Sequence, residues 1–341
     1  MKQRELWLDY LRAFACILVT IGHLLMSFQD AGIIKNTSIS SVFISFLYCF
    51  HVFIFFFCSG YLFQKGKDKF STHGKAFLSR LTKTVDFLVL YILFSGVTFL
   101  IKTLFSSEVN SSVEYSFIEV IAQHPLNQMW YLYAISIIFL CAHLMRSETS
   151  AWIILGIAAT LKIIICIPGV NALIPIPASY IFSNLIWFVL GQLLAFKQLK
   201  LNSILSFSVA AVFITLFVLS TVFSWNCSFL SAILTLLGIT GSAGIIYTLT
   251  KNKEKLSWFW KYISKYMLQI YLLHTIFAAG VRIVLIKIGI THIIPHLIAG
   301  LAVSFVCPII CAVIAQRIPV LNIFFFPTKT IKQLFAKRAR L

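Results

Sequence analysis

The first long apolar run of the chain carries an acid, a base and an imidazole: Asp9, Arg12 and His23. At about 100° per residue, the step from Arg12 to His23 returns to nearly the same face after about three turns. Asp9 falls on that face too, as do Cys16, Thr20 and Ser27. One side of the helix is therefore a polar stripe roughly 20 Å long, and the other sides are apolar. Charges at membrane depth are costly and face a protein interior or a wet cavity. The stripe is predicted to line a reaction or transport site. An imidazole can take a proton from a hydroxyl and release it near neutral pH. A plainer account makes Asp9 and Arg12 an i,i+3 ion pair at the membrane edge and His23 a hydrogen-bonded structural residue; the third polar group about 16 Å from Arg12 along the same face favours chemistry.

Four further groups share this ambiguity. His51 precedes Phe53-Ile54-Phe55-Phe56-Phe57-Cys58-Ser59-Gly60, whose last two small residues permit close helix approach. Arg80-Leu81-Thr82-Lys83 places two cations on one helix face, where they can hold phosphates or simply anchor the chain at the inner membrane face. Gln128-Met129-Trp130-Tyr131-Leu132-Tyr133 reads as a pocket wall or as an aromatic belt at the outer interface. Gln269-Ile270-Tyr271-Leu272-Leu273-His274 begins a second stripe, in which Tyr271, His274, Ala278 and Arg282 share a face. His274 is either part of a site or a satisfied structural histidine. Lys162 and Asp86 are intramembrane charges with no partner evident from the sequence.

The elements that must position these residues are membrane helices. The chain has 341 residues, is 60% hydrophobic and only 11% charged, and has a mean hydropathy of +0.95. That excludes a soluble domain. Ten candidate spans lie near 8–28, 40–63, 81–104, 129–145, 151–168, 179–196, 203–223, 227–249, 266–288 and 294–316. The predicted class is all-α, a polytopic integral membrane protein of about ten transmembrane helices.

The net charge of +18 could suggest nucleic acid, but the basic residues cluster between apolar runs. Lys2 and Arg4 precede the first span, and Lys65, Lys67, Lys69, Lys75, Arg80 and Lys83 follow the second. Arg146, Lys197 and Lys200, then Lys251, Lys253, Lys255, Lys261 and Lys265, continue the alternation. The opposite connections are poor in Lys and Arg, and 105–128 holds Glu108, Glu114 and Glu119 with no basic residue. The positive-inside rule then puts both termini in the cytoplasm. Residues 1–316 are expected to form the membrane domain and 317–341 a basic, amphipathic cytoplasmic tail drawn to anionic lipid. The eight cysteines show no CxxC or zinc spacing and read as small core residues. Neither a metal site nor a nucleic-acid module is expected, and the N-terminal run is not expected to be a cleavable signal.

Taken in order, these groups resemble the signatures of the acyltransferase-3 family of bacterial membrane acyltransferases, including its stand-alone O-acetyltransferase and adhesin succinyltransferase-like members. Asp9-x-x-Arg12 followed by His23 resembles the first-helix signature, and Phe55 to Gly60 resembles the Phe-Phe-x-x-Ser-Gly run. Arg80-x-x-Lys83 resembles Arg-x-x-Arg, Trp130-Tyr131-Leu132 resembles Trp-Phe-Leu, and Tyr271 to His274 resembles Tyr-Leu-Leu-His. Lys83 stands where the family has arginine, and Met267 and Gln269 replace its Ser and Gly. The resemblance implies transfer of an acyl group, usually acetyl, from cytoplasmic acyl-CoA to a hydroxyl of a cell-surface or lipid-linked glycan. It implies His23 as general base or acyl relay supported by Arg12 and Asp9, with Arg80 and Lys83 on the CoA phosphates. Trp130, Tyr133, Tyr271 and His274 would then shape the acceptor pocket, and the protein would be a multi-pass protein of the cytoplasmic membrane. The rival reading is a transporter or flippase for a glycan or lipid-linked sugar, in which the same polar residues bind cargo; broken helices and pseudo-symmetric halves would mark it.

Overall fold

The computed structural model describes residues 5–35, 37–67, 73–110, 112–142, 145, 147–197, 202–225, 227–328, 330 and 331. Lys2, Arg4, Lys69, Arg146, Lys200, Lys329 and the tail from 332 onward lie outside the described residues. The helices are α1 (Leu6–Asp30), α2 (Ser38–Tyr48), α3 (Phe53–Lys67), α4 (His73–Leu104), α5 (Phe117–Ala122), α6 (Trp130–Cys141) and α7 (Glu148–Cys166). They continue with α8 (Val170–Leu173), α9 (Ile176–Lys197), α10 (Ser203–Val222), α11 (Ser228–Thr250), α12 (Trp258–Lys287), α13 (Ile293–Arg317) and α14 (Pro319–Asn322).

Among the described residues every regular element is helical, and nine candidate spans are long and apolar enough to cross a bilayer. This is the all-α, polytopic architecture expected from the sequence. Two details differ from that expectation. The second span, Ile39–Gly66, is interrupted between α2 and α3. The fourth is short: Asn127–Cys141 opens with a 3₁₀ turn at Asn127–Met129 and reaches only about 22 Å at helical rise. The outward faces are apolar. Ile204 is 78% exposed and Val222 68%, a pattern that needs lipid rather than water around it.

The chain divides into two units by its internal contacts. The first comprises Met1–Gly22, Lys35–Phe70 and Leu144–Met267. Within it α3 crosses α9 at glycine on both sides: a β-carbon at Gly60 would collide with the backbone carbonyl of Phe188, and one at Gly191 with the carbonyl of Phe57. The small pair Ser59-Gly60 thus permits the approach that its residue types predict. Helix α10 packs along α11, where Gly244 meets Ser206. Phe46, Phe50, Phe213 and Phe217 form an aromatic cluster whose rings lie 5.2–6.4 Å apart.

The second unit comprises His23–Ile34, Ser71–His143 and Leu268–Leu341. Here α4 packs on α6, and Tyr91 reaches α5 by donating its hydroxyl to the carbonyls of Val120 and Ile121 at 3.1 and 2.8 Å. Leu24 and Phe28 of α1 form a core with Ala278, Leu297 and Leu301. The segment after α14 packs on α4. Phe325 is buried with its ring centroid 6.0 Å from that of Phe94. Thr328 donates its backbone N–H and its hydroxyl to Asp86 at 3.0 and 2.9 Å. Asp86, which lacks an evident partner in the sequence, is satisfied by a segment more than 200 residues away in the chain. Phe324 and Ile331 stay exposed.

Candidate active site

Helix α1 brings its second histidine-bearing half into the second unit, where α12 presents its own stripe. The rings of His23 and His274 face one another with centroids 5.4 Å apart and planes at 53°. His274 is fully buried. Its Nδ1 lies 2.9 Å from the carbonyl of Ile270 and 3.0 Å from that of Tyr271. Carbonyls only accept, so Nδ1 carries the proton of the neutral ring and Nε2 keeps its lone pair. Among the described residues that buried Nε2 has no hydrogen-bond partner. His23 is half-buried.

A second layer holds the α12 imidazole in place. Gln128 donates from Nε2 to the carbonyl of Tyr271 at 3.3 Å and to the hydroxyl of Thr275 at 2.9 Å. The Tyr271 hydroxyl donates in return to the backbone carbonyl of Gln128. Tyr131 stands edge-on to Tyr271 with centroids 5.6 Å apart. Ser304 of α13 donates to the carbonyl of His274 at 3.4 Å. Further along, Arg282 donates Nη1 to both the carbonyl and the hydroxyl of Ser27, and Asn110 donates to the same carbonyl at 3.1 Å. The stripe Tyr271, His274, Ala278 and Arg282 is buried at every position.

In the first unit the acid and base of α1 meet α12. Arg12 Nη1 lies 4.0 Å from Asp9 Oδ1, and the Ser264 hydroxyl donates to the same oxygen at 3.3 Å. Cys16 and Cys58 are buried in this unit, so they are the core cysteines that the composition suggests; Cys141 and Cys227 are exposed instead. His51 is fully buried where α2 gives way to α3, with Nδ1 2.5 Å from the carbonyl of Leu47 and its ring 4.8 Å from that of Tyr48. Lys162 has its ammonium over the Trp187 ring at 5.9 Å, a cation–π contact where the sequence offered no partner.

The remaining expected site residues are in the second unit. Arg80 and Lys83 lie near the start of α4, the first half-buried and the second exposed. Trp130 is half-buried, and Tyr133 packs on Tyr91 with ring centroids 5.3 Å apart. The structure therefore joins His23, His274 and Tyr271 and groups Asp9 with Arg12. Gln128, Thr275 and Ser304 were missed as site residues by sequence reasoning. Gln128 precedes Met129 and Trp130 in the same run, but a lone amide gives no periodic signal.

The family model described as an acyltransferase domain, acyltransferase type 3, matches residues 5–313. The chain belongs to the acyltransferase-3 family. It is a membrane acyltransferase, and the short motifs that suggested this are spread over the region that the family model matches. No curated protein and no solved structure matches the chain. The break between α2 and α3 and the kink at Tyr266 of α12 are features that a transporter would also have, but family membership identifies an acyl-transferring enzyme.

Proposed function

We propose that the protein moves an acyl group, usually acetyl in this family, from cytoplasmic acyl-CoA to a hydroxyl of a cell-surface or lipid-linked glycan. The observation that carries this reading is the facing pair His23 and His274, one ring half-buried and the other locked with an unpartnered Nε2. His23 takes the proton of the acceptor hydroxyl as that oxygen attacks the thioester carbonyl. The tetrahedral intermediate expels the CoA thiolate, which recovers the proton from the imidazolium. A covalent variant has His23 accept the acyl group first and pass it to the hydroxyl. His274, Tyr271, Trp130 and Tyr133 shape the acceptor pocket, Asp9 and Arg12 support the site, and Arg80 and Lys83 hold CoA phosphates.

The distribution of basic residues supports a multi-pass protein of the cytoplasmic membrane with both termini inside, counting the short α6 stretch as a crossing. Residues 1–316 then form the catalytic domain and 317–341 the tail. The test is transfer of a labelled acyl group from acyl-CoA to glycan in membranes bearing the wild type, His23→Ala or Arg80→Ala at matched expression. The proposal expects His23→Ala to lose about 10²–10⁴-fold in rate and Arg80→Ala mainly to raise the acyl-CoA concentration needed. Wild-type rates in His23→Ala would refute the role of His23. Failure of the wild type to consume acyl-CoA would refute the donor.

A further inference from the structure

The first unit contains a cavity of about 510 Å³ that none of the residues above explains. It is formed by the start of α1, the end of α11, the connection 251–257 and the first turn of α12. Lys251, Lys253, Lys255 and Lys261 line it against two acids, Glu5 and Glu254. Glu5 is already engaged: it accepts from the Tyr61 hydroxyl at 2.5 Å and from Trp7 Nε1 at 2.9 Å, and Lys65 lies 3.4 Å away. Among the described residues none of the four lysines is in an ion pair. The cavity is thus a concave surface with excess positive charge.

Its wall is aromatic as well as cationic. Trp7 and Tyr247 both line it, with ring centroids 5.9 Å apart and planes at 82°. Trp7 is nearly covered, whereas Tyr247 is half-buried. The lysine connection is tied to α1 through Tyr10: Lys253 stands over its ring at 5.3 Å, and its hydroxyl accepts the backbone N–H of Ser257 at 3.3 Å. Lysines are point charges that suit phosphate without fixed geometry. Clustered cations in a concave site draw a polyanion, and a ring lining such a site can stack a flat base. The volume is in the range of small-molecule sites.

We propose that this cavity binds the nucleotide end of the acyl donor, with its ribose 3′-phosphate on Lys251, Lys253 and Lys255 and its base against Tyr247. The inference rests on the acyl-CoA reading and assigns the nucleotide end of that donor to this one cavity. An anionic lipid headgroup shares the phosphate chemistry but brings no flat ring for Tyr247, so the nucleotide is the better occupant.

The test is isothermal titration of coenzyme A and of adenosine 3′,5′-bisphosphate into the full-length protein, in nanodiscs of phosphatidylcholine with and without phosphatidylglycerol. The variants are Lys251→Gln/Lys253→Gln/Lys255→Gln and, separately, Tyr247→Leu, each checked for an unchanged melting temperature. The single change Lys255→Glu replaces the triple variant if that one fails to fold. Losing three exposed charge contacts at roughly two- to five-fold each predicts at least about a ten-fold weaker affinity for both ligands. Tyr247→Leu should also weaken both. If the wild type binds coenzyme A and the lysine variant binds it equally well, the inference is overturned while the acyl-CoA donor survives. If the wild type binds no coenzyme A, both are overturned. If only the phosphatidylglycerol response changes with the lysines, the cavity is a lipid headgroup site and the inference is overturned.

Discussion

Replacing Gly60 by alanine tests the crossing on which the first unit depends. The new β-carbon would overlap the backbone carbonyl of Phe188, and the backbone N of Gln192 would be 3.2 Å away. These are helix backbone atoms, which cannot rotate aside as a side chain can. Overpacking of this kind costs about 1–3 kcal/mol, against a helix-propensity gain of about 0.8–1.0 kcal/mol for removing glycine. The expected net effect is a loss of up to about 2 kcal/mol. Gly156 supplies the control, because nothing lies within 4 Å of a β-carbon there; Gly156→Ala should be neutral or stabilising by up to about 1 kcal/mol. Gly191→Ala should behave like Gly60→Ala, and the double variant should lose less than the sum because both act on one crossing. The assay is thermal unfolding of the purified full chain in detergent, followed by a thiol-reactive dye that reports exposure of buried Cys58. A Gly60→Ala protein that melts with or above Gly156→Ala would refute the close-crossing argument.

Gln128→Leu removes the donor to the Tyr271 carbonyl and the Thr275 hydroxyl, at a local cost of about 1–3 kcal/mol. It should lower the acyl-transfer rate while the protein still folds; an unchanged rate would separate Gln128 from the imidazole pair. Asp86→Leu deletes both acceptors that hold Thr328, a loss of about 1.5–3 kcal/mol for each charged hydrogen bond. Limited trypsin cleavage after Arg317 should then be faster than in the wild type. Glu119 is held below the usual carboxylate range, first by the Ser116 hydroxyl and then by the Ser116 backbone N–H. Its support for α5 is therefore fully present above the ordinary carboxyl value of about 4.3 and is lost as pH falls through its lowered value. Amide exchange in α5 should accelerate on acidification in the wild type, and Glu119→Gln should remove most of that pH dependence.

Hydropathy and residue spacing determine a great deal here. Runs of apolar residues long enough to cross lipid must be helices, because only a helix satisfies its own backbone in hydrocarbon. Helical periodicity likewise puts Tyr271, His274, Ala278 and Arg282 on one face, and all four are buried. Periodicity acts within a helix, so it cannot say which helix faces which. The meeting of His23 with His274, 251 residues on, is a matter of tertiary packing. So are the Gln128 bonds to α12, the satisfaction of Asp86 by Thr328, and the collection of lysines from the α11–α12 connection around Trp7 and Tyr247. The break between α2 and α3 is hidden in the sequence for the same reason. His51 takes the Leu47 carbonyl four residues back, but Thr235 of α11, distant in sequence, donates to the Cys49 carbonyl at 2.7 Å where the helix is interrupted. The sequence alone determined a membrane-embedded helical chain with chemistry-bearing faces; which of those faces meet was decided only by the packing of helices far apart in the chain.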